Sequence, residues 1–102
     1  MNLDKFTQKS QEAIFSAQRI AQEYHHQAIE PAHLLLALLR QEEGVVPAIV
    51  TRVAGSDQAL RRELESDLER RPKISSASMD VGLAPATSEL LMAAERYARG
   101  MQ

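Results

Sequence analysis

The sequence predicts an all-α fold: a unit of four helices, a linker, and a fifth helix that opens a second copy of the same unit. Three observations predict it. Apolar residues recur at spacings of three and four through most of the chain. Prolines and glycines stand at the ends or first turns of those runs, or between them. Residues 6–21 also return, 77 positions later, at several charged as well as apolar positions. The chain has 102 residues, of which 44% are hydrophobic and only 4% aromatic, so the core must be built from Leu, Ile, Val, Ala and Met. A chain of this size fits one small domain of modest stability.

The first helix is expected from about Thr7 to Tyr24. Ala13, Ile14, Ala17, Ile20, Ala21 and Tyr24 form one stripe, and Asp4 or Thr7 is placed to cap its start. The second begins at Pro31, because a proline at the first helical position lacks only an N–H that would be unpaired there anyway. Its run Leu34 to Leu39 is apolar nearly all round, which predicts a helix in the middle of the core. Gly44 stops it. The third, Val45–Ala54, is short and apolar, with Pro47 in its first turn and Gly55 at its end. The fourth runs from Asp57 to Arg71, capped by Ser56 or Asp57. It carries a single apolar line of Leu60, Leu64 and Leu68, and its other faces are solvated, with Arg61–Glu65 and Glu65–Glu69 mixing attraction and repulsion. Residues 1–71 therefore form the first unit. Pro72 to Leu83, with Ser75, Ser76, Ser78 and Gly82, reads as a flexible linker. The fifth helix runs from near Pro85 to about Arg99 within a second unit, 84–102.

The duplication rests on particular pairs. At an offset of 77, Glu12 falls on Glu89, Ala17 on Ala94, Arg19 on Arg96 and Ala21 on Ala98, while Phe6, Ile14, Phe15 and Ile20 fall on Leu83, Leu91, Met92 and Tyr97. Periodicity alone would align the apolar positions but not the charged ones. On this reading the second copy stops at Gln102, after only its first helix.

Several chemistries find no support. The net charge of −2 supplies no positive field for nucleic acid or anionic lipid. No cysteine is present, which rules out disulfides and thiolate metal sites and is compatible with a cytoplasmic location. No apolar run approaches the ~20 residues of a membrane span, and the N-terminus lacks signal-peptide features. There is no phosphate loop, dinucleotide fingerprint or nucleophile elbow, so no enzyme is expected and no cofactor is assigned to this chain. Glu30 and His33 have a spacing that supplies metal ligands in some bundles, but one such motif does not make a site. No metal is assigned. Glu30 is expected to start the second helix and His33 to pack with one nitrogen hydrogen-bonded. His25 and His26 are expected to be solvated residues at a helix end.

Leu3-Asp4-Lys5-Phe6-Thr7, the helix that follows, and the stretch from Ile29-Glu30-Pro31-Ala32-His33 through Leu39 together resemble the Clp N-terminal repeat, found at the start of ClpA, ClpB and ClpC. The opening, Arg70-Arg71-Pro72-Lys73 and the Ser-rich linker are most similar to the ClpB branch. The resemblance implies two four-helix repeats related by pseudo-twofold symmetry, here the first repeat and the first helix of a second. It implies a non-catalytic domain that engages exposed hydrophobic segments of unfolded or aggregated polypeptide. The parent would be a hexameric AAA+ ring that uses ATP, disaggregates proteins and works with the DnaK system. It also implies that Thr7 lines the groove between the repeats, as well as capping a helix. Leu91 and Tyr97 match apolar positions that face the groove or the core beneath it. Acidic residues expected beyond Gln102 would complete the groove. The alternative function is adaptor docking, as in the ClpA and ClpC branches. An amphipathic fifth helix lacking its partners would be an element for helix exchange or dimerisation.

Overall fold

The computed structural model describes residues 6–74 and 81–100; Asp4, the other expected cap, and the serines of 75–78 lie outside them. Among these residues five helices are present: α1 (Gln8–Glu23), α2 (Pro31–Leu39), α3 (Val45–Ala54), α4 (Gln58–Arg70) and α5 (Pro85–Gly100). Thr7 caps α1 as expected, its Oγ1 accepting from the Ser10 N–H at 3.2 Å. For α4 the Gln58 N–H is taken by Ser56 Oγ at 3.1 Å, and the Asp57 side chain makes no cap bond. Gly55, at φ 84°, ends α3 in the left-handed region, where a Cβ would be strained.

Packing follows the apolar pattern. The stripe of α1 predicted from spacing, Ala13, Ile14, Ala17, Ile20 and Ala21, is buried. It meets α2, where five of nine residues are buried, the highest density of any element. The nearly all-round apolar character of α2 therefore has its predicted consequence. From α4 only Leu68 is fully buried, while Leu60 and Leu64 are partly covered. α3 buries none of its residues. The ion pairs of α4 differ from those read off the sequence. Arg61 pairs with Asp57 at 3.8 Å, Glu65 with Arg40, the residue that caps the end of α2, at 3.1 Å, and Lys73 with Glu69 at 3.5 Å. Tertiary contact across α2 and α4 outcompetes the intrahelical partner.

Two short strands were not legible in the sequence. β1 (Ala28–Ile29) pairs in parallel with β2 (Gly82–Leu83), with Ala28 opposite Gly82 and Ile29 opposite Leu83. The Ile29 carbonyl accepts twice more, from the Ala84 N–H at 3.0 Å and from the buried Thr87 hydroxyl at 2.6 Å. Gln18 Nε2 donates to the Val81 carbonyl at 3.2 Å, and the Ile74 N–H to the His25 carbonyl at 2.8 Å. Both described ends of the 72–83 segment are thus tied to the four-helix unit, and Val81 is buried in its core. A two-residue strand has too little pattern to be read from period.

Of the histidines, His25 is solvated at a helix end and His33 is packed and hydrogen-bonded, both as expected, while His26 departs from expectation. His25 is exposed, at φ 58°. It is the left-handed residue of a Schellman turn in which the His25 N–H donates to Gln22 and the His26 N–H to Ala21. That reversal turns His26 inward, so His26 is buried rather than solvated. Its Nδ1 lies 2.7 Å from Nε2 of His33, which is fully buried. His33 Nδ1 accepts from the Glu30 N–H at 2.8 Å, taking the place of the Glu or Gln side chain in a capping box. Both His33 nitrogens are therefore engaged, where one was expected. The neutral pair has one consistent proton arrangement: His33 carries hydrogen on Nε2 and donates to His26 Nδ1. Nε2 of His26 is buried with no hydrogen-bond partner of standard geometry among the described residues, although the Leu68 backbone beside it favours a proton there. Burial pushes His33 down to about 4, helped by His26 and Arg71, and pushes His26 down as well.

Candidate functional site

The start of α1 and the length of α5 form the two walls of a cleft, and α2 supplies its floor. Phe6 and Ser10 stand on one wall, Leu90, Leu91 and Ala94 on the other, and Leu34 and Leu38 lie beneath, around a cavity of about 270 Å³. A second cavity of about 470 Å³ adjoins it, sharing Phe6, Ser10 and Ala94, and extends to Thr7, Ala98, Glu95 and Arg99. The inner part is almost wholly apolar. Polar groups gather at the mouth, where Arg99 pairs with Glu95 at 3.4 Å.

The two walls of the cleft carry a similar side-chain pattern in different surroundings. The two helices start 77 residues apart (85 − 8) and each has 16 residues. The buried stripe of α1 at positions 13, 14, 17, 20 and 21 corresponds to Leu90, Leu91, Ala94, Tyr97 and Ala98. Of these only Leu91 is partly buried and packed against the core; Leu90 is 47% exposed and Tyr97 77%. The pattern that is covered by α2 on α1 is left largely exposed on α5, among the described residues.

The three residues singled out in the sequence are placed differently. Thr7 sits at the cleft mouth, exposed, with its hydroxyl committed to capping and to Ser10 Oγ at 3.0 Å. Leu91 lines the inner cavity and also touches the core, so its two readings coexist. Tyr97 lines neither cavity and packs into no core. The structure adds Phe6, Ser10, Leu38 and Leu90. Phe6 and Leu90 were visible as members of the repeat and of the α5 stripe. Leu38 could not be separated by period from its buried neighbours in an all-apolar run.

A further cavity, of about 490 Å³, lies elsewhere, where the end of α4 meets the strand pair; Glu30, Arg71, Gln27 and His26 give it polar walls. Among the described residues no cluster of His, Asp or Glu is arranged to hold a metal ion, and no helix is long and apolar enough to cross a membrane.

Residues 5–102 match the family model of the Clp repeat (R) N-terminal domain. The chain belongs to that family. It is 36% identical to the chaperone protein ClpB of Bacillus cereus over 105 aligned positions, 35% to that of Nitratidesulfovibrio vulgaris over 105, and 38% to that of Pseudomonas putida over 99. These alignments take in 97–100% of this chain but only 12% of each relative. The chain thus corresponds to a Clp repeat N-terminal domain of the ClpB chaperones, and the all-α architecture expected of that family is the one observed.

Proposed function

We propose that this chain is a non-catalytic client-binding domain of a ClpB-type AAA+ chaperone, and that it holds exposed hydrophobic segments of unfolded or aggregated protein in the cleft between α1 and α5. The observation that carries the reading is an open, apolar, preformed cleft with polar groups only at its rim. A client of arbitrary sequence cannot be read by fixed hydrogen bonds. Apolar surface holds it without direction and tolerates many side chains. Burying ~300 Å² of apolar area is worth about 7 kcal/mol before association costs, which consume much of it. Micromolar to millimolar affinity remains, weak enough to hand the client on. Thr7, Leu91 and the residues around them make the contacts; Tyr97 adds exposed aromatic surface further along α5.

On this reading ATP hydrolysis belongs to the AAA+ ring of the full-length chaperone, which works with the DnaK system in the cytoplasm, and this chain binds neither nucleotide nor metal. The test is the affinity for a fluorescently labelled, permanently unfolded protein, measured for the native chain and Thr7→Asp at two salt concentrations. Asp keeps a capping oxygen at the helix start but places a charge where the client must exclude water. Weaker binding by Thr7→Asp at both salt concentrations is expected. Binding that ignores Thr7→Asp and vanishes at high salt would point instead to electrostatic docking of a folded adaptor.

A further inference from the structure

α3 is apolar, yet none of its residues is buried. Val45, Ile49 and Val53 are 71%, 54% and 82% exposed. They stand four residues apart, so they form one continuous ridge of the kind that interdigitates with an identical ridge on another helix. The ridge spans about 12 Å at 1.5 Å per residue, and its order, Val-Ile-Val, reads the same in both directions about Ile49.

Charge around the ridge is not symmetric. Arg52 is the one charged residue of α3 and lies in its last turn, while Glu42 and Glu43 lie just before its start. All three are exposed, and none takes part in an ion pair among the described residues. An antiparallel copy of α3 would set Ile49 on Ile49 and Val45 on Val53. It would also bring each Arg52 to the other chain's Glu42 and Glu43 and oppose the helix dipoles. A parallel copy would bring like charges together.

We propose that α3 is a self-association surface on which a second copy of this chain packs, antiparallel, about a twofold axis at Ile49. Three aliphatic side chains fall far short of the ~800 Å² per partner of a standard stable interface. The contact is therefore weak in dilute solution and gains weight only where copies are held at high local concentration. It is separate from the α1–α5 cleft and does not depend on what that cleft binds.

The test is NMR of the full chain from ~50 µM to ~2 mM, with translational diffusion measured alongside. Concentration-dependent shifts confined to residues 42–54, with slowing diffusion, are expected. Ile49→Asp, at a half-exposed position, should keep its melting temperature and lose the shifts. Arg52→Glu alone, and Glu42→Lys/Glu43→Lys alone, should each weaken association by about three- to tenfold. An equimolar mixture of the two charge variants should associate at least as well as the native chain. Concentration-independent α3 signals would overturn the proposal. So would association mapping to α5, a mixture no better than its components, or an unfolded client shifting α3 at low chain concentration.

Discussion

His26 and His33 concentrate the buried polar chemistry of the molecule. They bridge the end of α1 to the start of α2 with a 2.7 Å contact beside Leu68 of α4. The groups around them are Tyr24, stacked on His26, with Arg71, Lys73 and Glu30 near enough to bias titration. Burial disfavours a proton on either ring, Arg71 and Lys73 add to it by charge repulsion, and Glu30 alone among the nearby charges opposes it, so protonation is disfavoured in the folded state. The sign follows: a histidine held at about 4 when folded and near 6.5 when unfolded leaves the unfolded chain with more bound protons between those values. Stability is full above about pH 6.5, and roughly 2–4 kcal/mol is lost as pH falls towards 4. Urea unfolding at a series of pH values should show that slope, and His33→Leu should flatten it while lowering stability at neutral pH by unpairing the Glu30 N–H and His26 Nδ1. His25 carries a separate prediction. A left-handed residue with a Cβ is strained at the turn, so His25→Gly should raise stability by about 0.5–1 kcal/mol in thermal unfolding. The solvated place of His25 and the packing of His33 were legible in the sequence; the burial of His26 and its contact with His33 were not. Two adjacent histidines at the end of a stripe look solvated, and only the left-handed turn at the first reveals that the second points inward.

The helices themselves were legible because most are bracketed by residues whose backbone preferences end or begin them: Thr7, Pro31, Gly55, Pro72 and Pro85. Gly44, expected to stop α2, instead precedes α3 in extended backbone at φ −77°, and α2 ends earlier, at Leu39. Their burial was legible where one side of the pattern is apolar, as in α1, or nearly all of it, as in α2. It failed for α3, whose composition resembles a core helix but whose position leaves its ridge outside. Composition reports what a helix can bury, and the tertiary path decides whether it does. The α1–α2 pair is the centre of the unit, and Leu36 is fully buried within it. Leu36→Asp would bury a carboxylate among aliphatic side chains and should abolish the cooperative thermal transition. A native-like melting temperature in that variant would place the core elsewhere. Thr7 acts at the element level as well: Thr7→Ala should cost about 1 kcal/mol by removing the α1 cap, whereas Thr7→Asp should cost almost nothing because a carboxylate caps as well and suits the helix dipole. Differential melting of the two variants separates the cap from any role in binding.

Taken as a unit, the molecule joins α1–α4 to α5 through a parallel strand pair and the Thr87–Ile29 hydrogen bond. The repeat in the sequence foretold α5 and its apolar face. It could not foretell the strand pair that holds α5 at a fixed distance from α1, and that distance is what makes the groove a cleft rather than a packed interface. Of the site, Thr7 and Leu91 were legible through the resemblance to the Clp repeat; Phe6, Leu34 and Leu38 were not singled out, because residues that both build a core and line a groove look like core in one dimension. Where a client binds is the decisive point. Chemical-shift mapping of the ¹⁵N-labelled chain against an unlabelled unfolded protein, at two salt concentrations, tests this directly. The account predicts perturbations at Phe6, Thr7, Ser10, Leu90, Leu91 and Ala94, retained at high salt; perturbations centred on the charged faces of α4 and lost at high salt would contradict it.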